Sequence, residues 1–208
     1  MKYIVFDFDG TIADTFYLIK KLTDELKHEY TSEDFNMEEI RNEDLRTILK
    51  RLKIPSYKYP QILKRVQKAL GVEISKEAKT FPGVHELLKE LFGKYRLGIL
   101  SSNSKENIDK FLERTQLAKY FDFIYSGSPM FGKDKKLAHM MKQKKLGRSD
   151  FTYIGDEKRD VLACRKLGVE IIAVTWGFNS KAFLMQAKPK HIADKPEEIE
   201  KILSDMKF

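Results

Sequence analysis

The sequence predicts an α/β fold, a parallel sheet with helices on both faces and a helical insert near the N-terminus. Three observations predict it. Short apolar runs recur at 3–6, 97–100, 123–125, 151–154 and 171–174, the length and composition of buried strands. Helix-length stretches separate the later runs, the alternation expected of a parallel sheet. Between Thr11 and Phe81 no good strand occurs, and that interval far exceeds one crossover helix.

The first strand runs straight into Asp7 and Asp9, followed by Gly10 and Thr11. Such a strand delivers its last carboxylate to the carboxyl end of the sheet, where open α/β folds bind ligands. Two residues apart, Asp7 and Asp9 face the same side for as long as the strand persists. Gly10 allows the tight turn that a phosphate or cation needs in order to approach main-chain atoms. Calcium loops also open Asp-x-Asp, but the third-ligand, sixth and twelfth places counted from Asp7 hold Thr11, Ile12 and Leu18, which rules that loop out. An ordinary turn after a strand is the bland alternative.

The insert reads as a small helical bundle: a helix over 15–28 capped by Asp14, a second over 37–52 and a third over 59–70. Pro55 and Pro60 bracket the last turn, and Phe81-Pro82-Gly83 marks the return to the main domain. A crossover helix over 84–95 then leads to the second strand. That strand ends in Ser101-Ser102-Asn103-Ser104, whose hydroxyls and backbone N–H groups suit a phosphate, while Ser104 can equally cap the next helix. Lys133 follows the third strand and could neutralise anionic oxygens, although Lys135 and Lys136 stand beside it. The fourth strand ends at Asp156, with Asp160 one helical turn later, hard oxygen donors of the kind magnesium selects. Acids in a helix's first turn can also be caps alone.

The formal net charge is +8, from 39 Lys plus Arg against 31 Asp plus Glu. The densest basic stretch, 133–148, interleaves lysines with Leu137, Met140, Met141 and Leu146, a solvated face over an apolar one. No aromatic stacking run accompanies it, so nucleic acid is not the expected partner. The N-terminal apolar run is too short for a signal peptide or a membrane span. The single cysteine, Cys164, excludes an internal disulfide, and a cytoplasmic protein is expected. His28, His85, His139 and His191 show no zinc-ligand spacing. Trp176, just after the last strand, reads as a packing anchor. Oligomeric state is not legible.

Taken in order, Asp7-Phe8-Asp9-Gly10-Thr11, Ser101, Lys133 and Gly155-Asp156-x-x-x-Asp160 resemble the haloacid dehalogenase-like hydrolase superfamily, and the similarity spans the whole chain. The resemblance implies a Rossmann-like core over 1–14 and 81–208, with 15–80 as the family's smaller helical cap. Residues 174–180 are similar to the phosphoglycolate phosphatase-like branch. Asp134 departs from the proline that many relatives carry after the lysine. The implied chemistry is magnesium-dependent hydrolysis of a small phosphate monoester, of the phosphoglycolate or sugar phosphate class, through an aspartyl-phosphate. Asp7 is then the nucleophile and Asp9 the general acid and base. Asp7, the main-chain carbonyl of Asp9 and Asp156 hold magnesium, and Asp160 orients a water or Lys133 behind them. Ser101, Lys133 and the segments around Gly10, Thr11, Ser102 and Asn103 bind the phosphate. Asp9 favours a phosphatase over a dehalogenase, which has no leaving oxygen to protonate. A phosphomutase shares these core residues and stays open, and a non-catalytic binding module is the remaining alternative.

Overall fold

The computed structural model describes residues 1–31, 36–127 and 132–206. Its chain order is β1 (Tyr3–Phe6), β2 (Ala13–Asp14), α1 (Phe16–Tyr30), α2 (Met37–Ile40), α3 (Leu45–Arg51), α4 (Tyr59–Lys76), β3 (Lys79–Thr80), α5 (Val84–Leu91), β4 (Arg96–Leu100) and α6 (Lys105–Arg114). It continues with β5 (Phe121–Tyr125), α7 (Lys133–Lys144), β6 (Phe151–Gly155), α8 (Lys158–Leu167), β7 (Glu170–Val174), α9 (Lys181–Gln186), β8 (His191–Ala193) and α10 (Glu198–Asp205).

Six strands form one parallel sheet in the order β5-β4-β1-β6-β7-β8. β1 and β6 lie side by side at its centre, and β6 is buried along its whole length, as a strand covered on both faces must be. Chain order reverses beside β1, because β4 and β5 extend one way and β6 to β8 the other. A reversal of this kind opens a crevice at the strands' carboxyl ends. One apolar layer joins Ile4, Phe6 and Phe8 with Leu88, Phe111 and Leu203. The other joins Val5, Phe151 and Tyr153 with Leu137, Met140 and Cys164, so Cys164 is a core residue and helices cover both faces.

Helices α1 to α4 fall between β2 and β3, which pair antiparallel as Ala13 with Thr80 and Asp14 with Lys79. The chain therefore leaves the six-stranded sheet and returns to it through one two-stranded neck. Several expected elements differ. Asp14 lies in this neck rather than capping α1, whose N-cap is Thr15 without a side-chain bond. The helix expected over 37–52 is two helices, because Asp44 starts α3 afresh by accepting from Thr47 N at 2.9 Å, as an N-cap does. The crossover helix stops at Leu91, before Gly93 turns the chain at φ 84°. β8 and the helices flanking it are additional; β8 spans only 3 residues and is legible only through its pairing with β7.

Candidate active site

The site is assembled where β1, β4 and β6 end. β1 is paired to Phe6, and Asp7 N still donates to Ile154 O at 2.8 Å, so the chain stays extended into the first aspartate. Phe8 turns the other way and stacks edge-on upon Phe111, with centroids 5.1 Å apart. That buried ring anchors the segment and leaves Asp7 and Asp9 on one side. The turn then closes as Ile12 N and Ala13 N both donate to Phe8 O at 2.9 Å. Gly10 takes φ 77°, and a Cβ there would lie 2.1 Å from Asp156 Oδ2.

Asp7 is 3% exposed. Its Oδ1 accepts from Phe8 N at 2.8 Å and its Oδ2 from Lys133 Nζ at 2.6 Å. Lys133, at the start of α7, also lies 3.1 Å from Asp160 Oδ1. Burial therefore selects Lys133 from its basic neighbours, since Lys135 is exposed and Lys136 only partly covered. Asp160 accepts from Glu157 N at 3.1 Å through Oδ2, so it is a helix cap and an ion-pair partner at once.

Asp156 is wholly buried. Thr11 Oγ1 donates to its Oδ1 at 2.8 Å and Phe178 N to its Oδ2 at 2.7 Å. On the other flank, Asn103 Nδ2 donates to both oxygens of Asp9, at 3.2 and 3.1 Å. Ser101 is buried, and its Oγ accepts from Asn103 N at 2.9 Å, which leaves the hydroxyl proton available to donate. Ser104 Oγ caps α6 by accepting from Asn107 N at 3.2 Å. The hydroxyl of Thr11 and the amide of Asn103 thus engage Asp156 and Asp9, whereas Ser101 and Ser102 lie on the loop after β4.

Buried carboxylates outnumber the cations here. Burial pushes Asp7 up to about 7, with Lys133 opposing and Asp160 adding to the rise. Burial raises Asp9 to about 6 against the Asn103 hydrogen bond. Asp156 stands well above the usual carboxylate range, through burial and then through Glu157, Asp7 and Asp160. Burial alone would lower the Lys133 ammonium, but Asp160 and Asp7 outweigh it and raise it. Asp7, Asp156 and Asp160 each offer a carboxylate oxygen, all within 4.8 Å of one another. Hard oxygen donors, burial and uncompensated negative charge fit a divalent cation such as magnesium, which would favour the ionised forms.

Sequence reasoning missed Arg159, Arg41 and Asn179. Arg159 pairs with Glu157 at 2.5 Å and sits in a basic run that reads as surface. Arg41 and Asn179 meet only in three dimensions, across the insert and the loop after β7. Trp176 is the anchor expected, its Nε1 donating to Thr11 O at 3.1 Å. No helix among the described residues is long and apolar enough to cross a membrane.

A family model described as haloacid dehalogenase-like hydrolase matches residues 4–174. The phosphoglycolate phosphatase of Synechococcus elongatus is 33% identical over 203 residues, covering 96% of this chain and 95% of that protein. A pyrophosphatase of Oceanobacillus iheyensis is 26% identical over 210 residues, covering 99% and 98%. Among solved structures, a haloacid dehalogenase-like family hydrolase from Streptococcus pneumoniae aligns at TM-score 0.82 and 25% identity, over 98% of both chains. A haloacid dehalogenase-like protein from Agrobacterium tumefaciens shares the fold at TM-score 0.79 and 19% identity, over 99% of both.

Proposed function

The chain belongs to the haloacid dehalogenase-like hydrolases, and on that premise we propose that it is a magnesium-dependent phosphatase of a small phosphate monoester, working through an aspartyl-phosphate. One observation carries the reading. Asp7 and Asp9 share a loop but not an environment, one held by the Lys133 ammonium at 2.6 Å and the other by the neutral Asn103 amide. Two carboxylates whose surroundings differ can divide nucleophile and acid between them.

Asp7 attacks phosphorus, forming an oxygen–phosphorus bond as the ester oxygen leaves. Asp9 gives that oxygen its proton, then as carboxylate takes one from the water that hydrolyses the aspartyl-phosphate and releases Asp7. Lys133, steadied by Asp160, keeps the carboxylate of Asp7 close to an anionic group it would otherwise repel. The Ser101 hydroxyl and backbone N–H groups of the loops after β1 and β4 take the remaining phosphoryl oxygens, apart from the N–H of Gly10, which donates to Ala13 O at 2.9 Å. Magnesium, held by Asp7, the main-chain carbonyl of Asp9 and Asp156, would offset negative charge on the phosphoryl group. Thr11 serves this arrangement indirectly, by fixing Asp156.

Residues 15–80 form the cap in this reading, and 1–14 with 81–208 the core. The neck of β2 and β3 supports that division, as does the reach of the insert's 41–43 segment to the loop after β7. A cap excludes water and chooses the leaving group. Phosphoglycolate, the substrate named for the Synechococcus relative, and sugar phosphates are the favoured classes. The test is a panel of phosphate monoesters with pyrophosphate included, assayed with magnesium and ranked by kcat/KM. A carboxylate- or sugar-bearing monoester should lead. A lead for pyrophosphate would reject the monoester class, and no hydrolysis of any member would reject the phosphatase.

A further inference from the structure

The C=O of Gly177 and the N–H of Phe178 are the two ends of one peptide unit. Arg41 Nη2, from the segment between α2 and α3, donates to Gly177 O at 3.2 Å. Phe178 N donates to Asp156 Oδ2 at 2.7 Å. A trans peptide is planar and points its C=O and N–H in opposite directions, and no peptide bond among the described residues is cis. One rigid plate therefore stands between a guanidinium of the insert and a buried carboxylate of the core.

The plate has little freedom. Arg41 Nε also donates to Phe178 O at 3.2 Å, and its guanidinium lies 5.3 Å from the centre of the Phe16 ring. A Cβ on Gly177 would fall 2.2 Å from Gly10 O and 2.3 Å from Asp156 Cβ, so the loop rests directly on the site. Asn179, itself buried, adds a second tie. Its Oδ1 accepts from Lys158 N, at the start of α8, at 2.8 Å. Its amide donates to Arg41 O at 3.2 Å and Glu43 O at 3.4 Å.

We propose that Arg41 is a positioning residue: through the Gly177–Phe178 peptide it fixes the Asp156 carboxylate for a divalent cation, which links docking of the insert to cation binding. This rests on the reading of Asp156 as a cation ligand. A hydrogen bond from a charged donor polarises the amide it meets and strengthens the bond made at the amide's other end. By linkage, whatever docking does for cation affinity, the cation does for docking. A purely structural Arg41 would instead hold the insert down equally well with or without cation.

The test is a magnesium titration read by the thermal unfolding midpoint, on the wild type, Arg41→Ala and Arg41→Lys. Coupling energies between sites commonly correspond to about 5- to 150-fold in affinity. The magnesium concentration needed for a fixed midpoint shift, which scales with the dissociation constant, should rise about 5-fold or more in Arg41→Ala. Arg41→Lys should recover part of it, since an ammonium can reach one carbonyl but cannot fork to two. Amide exchange at Phe178 should be slowed by magnesium in the wild type and much less in Arg41→Ala. Equal magnesium concentrations for the same midpoint shift in wild type and Arg41→Ala overturn the proposal while leaving the cation site standing. No magnesium shift in the wild type removes the cation reading itself, and the proposal with it. If Arg41→Ala does not fold, Arg41→Lys and Arg41→Gln carry the comparison.

Discussion

Asn103 grips both carboxylate oxygens of Asp9 with one amide nitrogen, at 3.2 and 3.1 Å, and is itself held by two neighbours. Its own Oδ1 accepts from Ser104 N and Asn107 Nδ2, each at 2.8 Å. The loop after β4 thereby fixes the acid on the loop after β1, and the start of α6 fixes the loop. An acid aimed in this way suits proton transfer to a leaving oxygen.

Asp9→Asn should slow hydrolysis of alkyl phosphates by ~10²- to 10⁴-fold, the usual cost of losing a general acid. An aryl phosphate, whose leaving group needs little protonation, should suffer far less. Steady-state kinetics on one ester of each kind, with magnesium saturating, make the comparison. Equal losses on both would take the acid role away from Asp9.

Lys133→Met should destabilise the fold by ~3–5 kcal/mol, the cost of leaving a buried ionic partner uncompensated. Its side chain is 4% exposed and faces Asp7 and Asp160 together. Urea denaturation measures the loss, and adding Asp7→Asn to the variant should restore part of it by removing one stranded charge. A single variant as stable as the wild type would mean that the pairing contributes no net stability.

Gly10→Ala combines two penalties, a φ of 77° and a Cβ 2.1 Å from Asp156 Oδ2. Gly93→Ala isolates the first, because Gly93 has φ 84° and nothing within 4 Å of its Cβ position. Backbone strain of this kind costs ~1–3 kcal/mol. Denaturation curves should place Gly93→Ala within that range and Gly10→Ala beyond it, with magnesium response impaired only in the latter. Matching curves would show that the loop around Gly10 yields to the methyl group.

The metal-free protein should lose stability as pH rises from about 4 to about 7. Asp7 and Asp9 are raised in the fold to about 7 and about 6 from 3.8. A raised carboxyl contributes stability below its unfolded pKa and loses it as pH passes the folded value. Asp9→Asn should therefore flatten the lower part of that window. Urea midpoints near pH 5 and near pH 7.5, without cation, test the sign. A wild-type-like slope in Asp9→Asn would dissociate Asp9 from the effect.

The strands were legible because burial on both faces demands unbroken apolar runs, as in β1 and β6. Asp7, Asp9, Asp156 and Asp160 were legible because a strand end or a helix's first turn fixes where its next side chain emerges. The short pairs β2 and β3 carry no such pattern. They exist because the insert brings Ala13 and Thr80 together, and β8 likewise depends on β7 beside it.

Local rules of the chain by themselves determined the sheet, the insert and the residues at the strand ends, since each follows from periodicity, turns and spacing. Only the tertiary structure decided which lysine is buried against Asp7, that Asn103 serves Asp9, and that Arg41 reaches Asp156 through a peptide of another loop. Those relations join residues far apart in the chain, and their energies depend on distance and desolvation, which exist only once the sheet has closed around them.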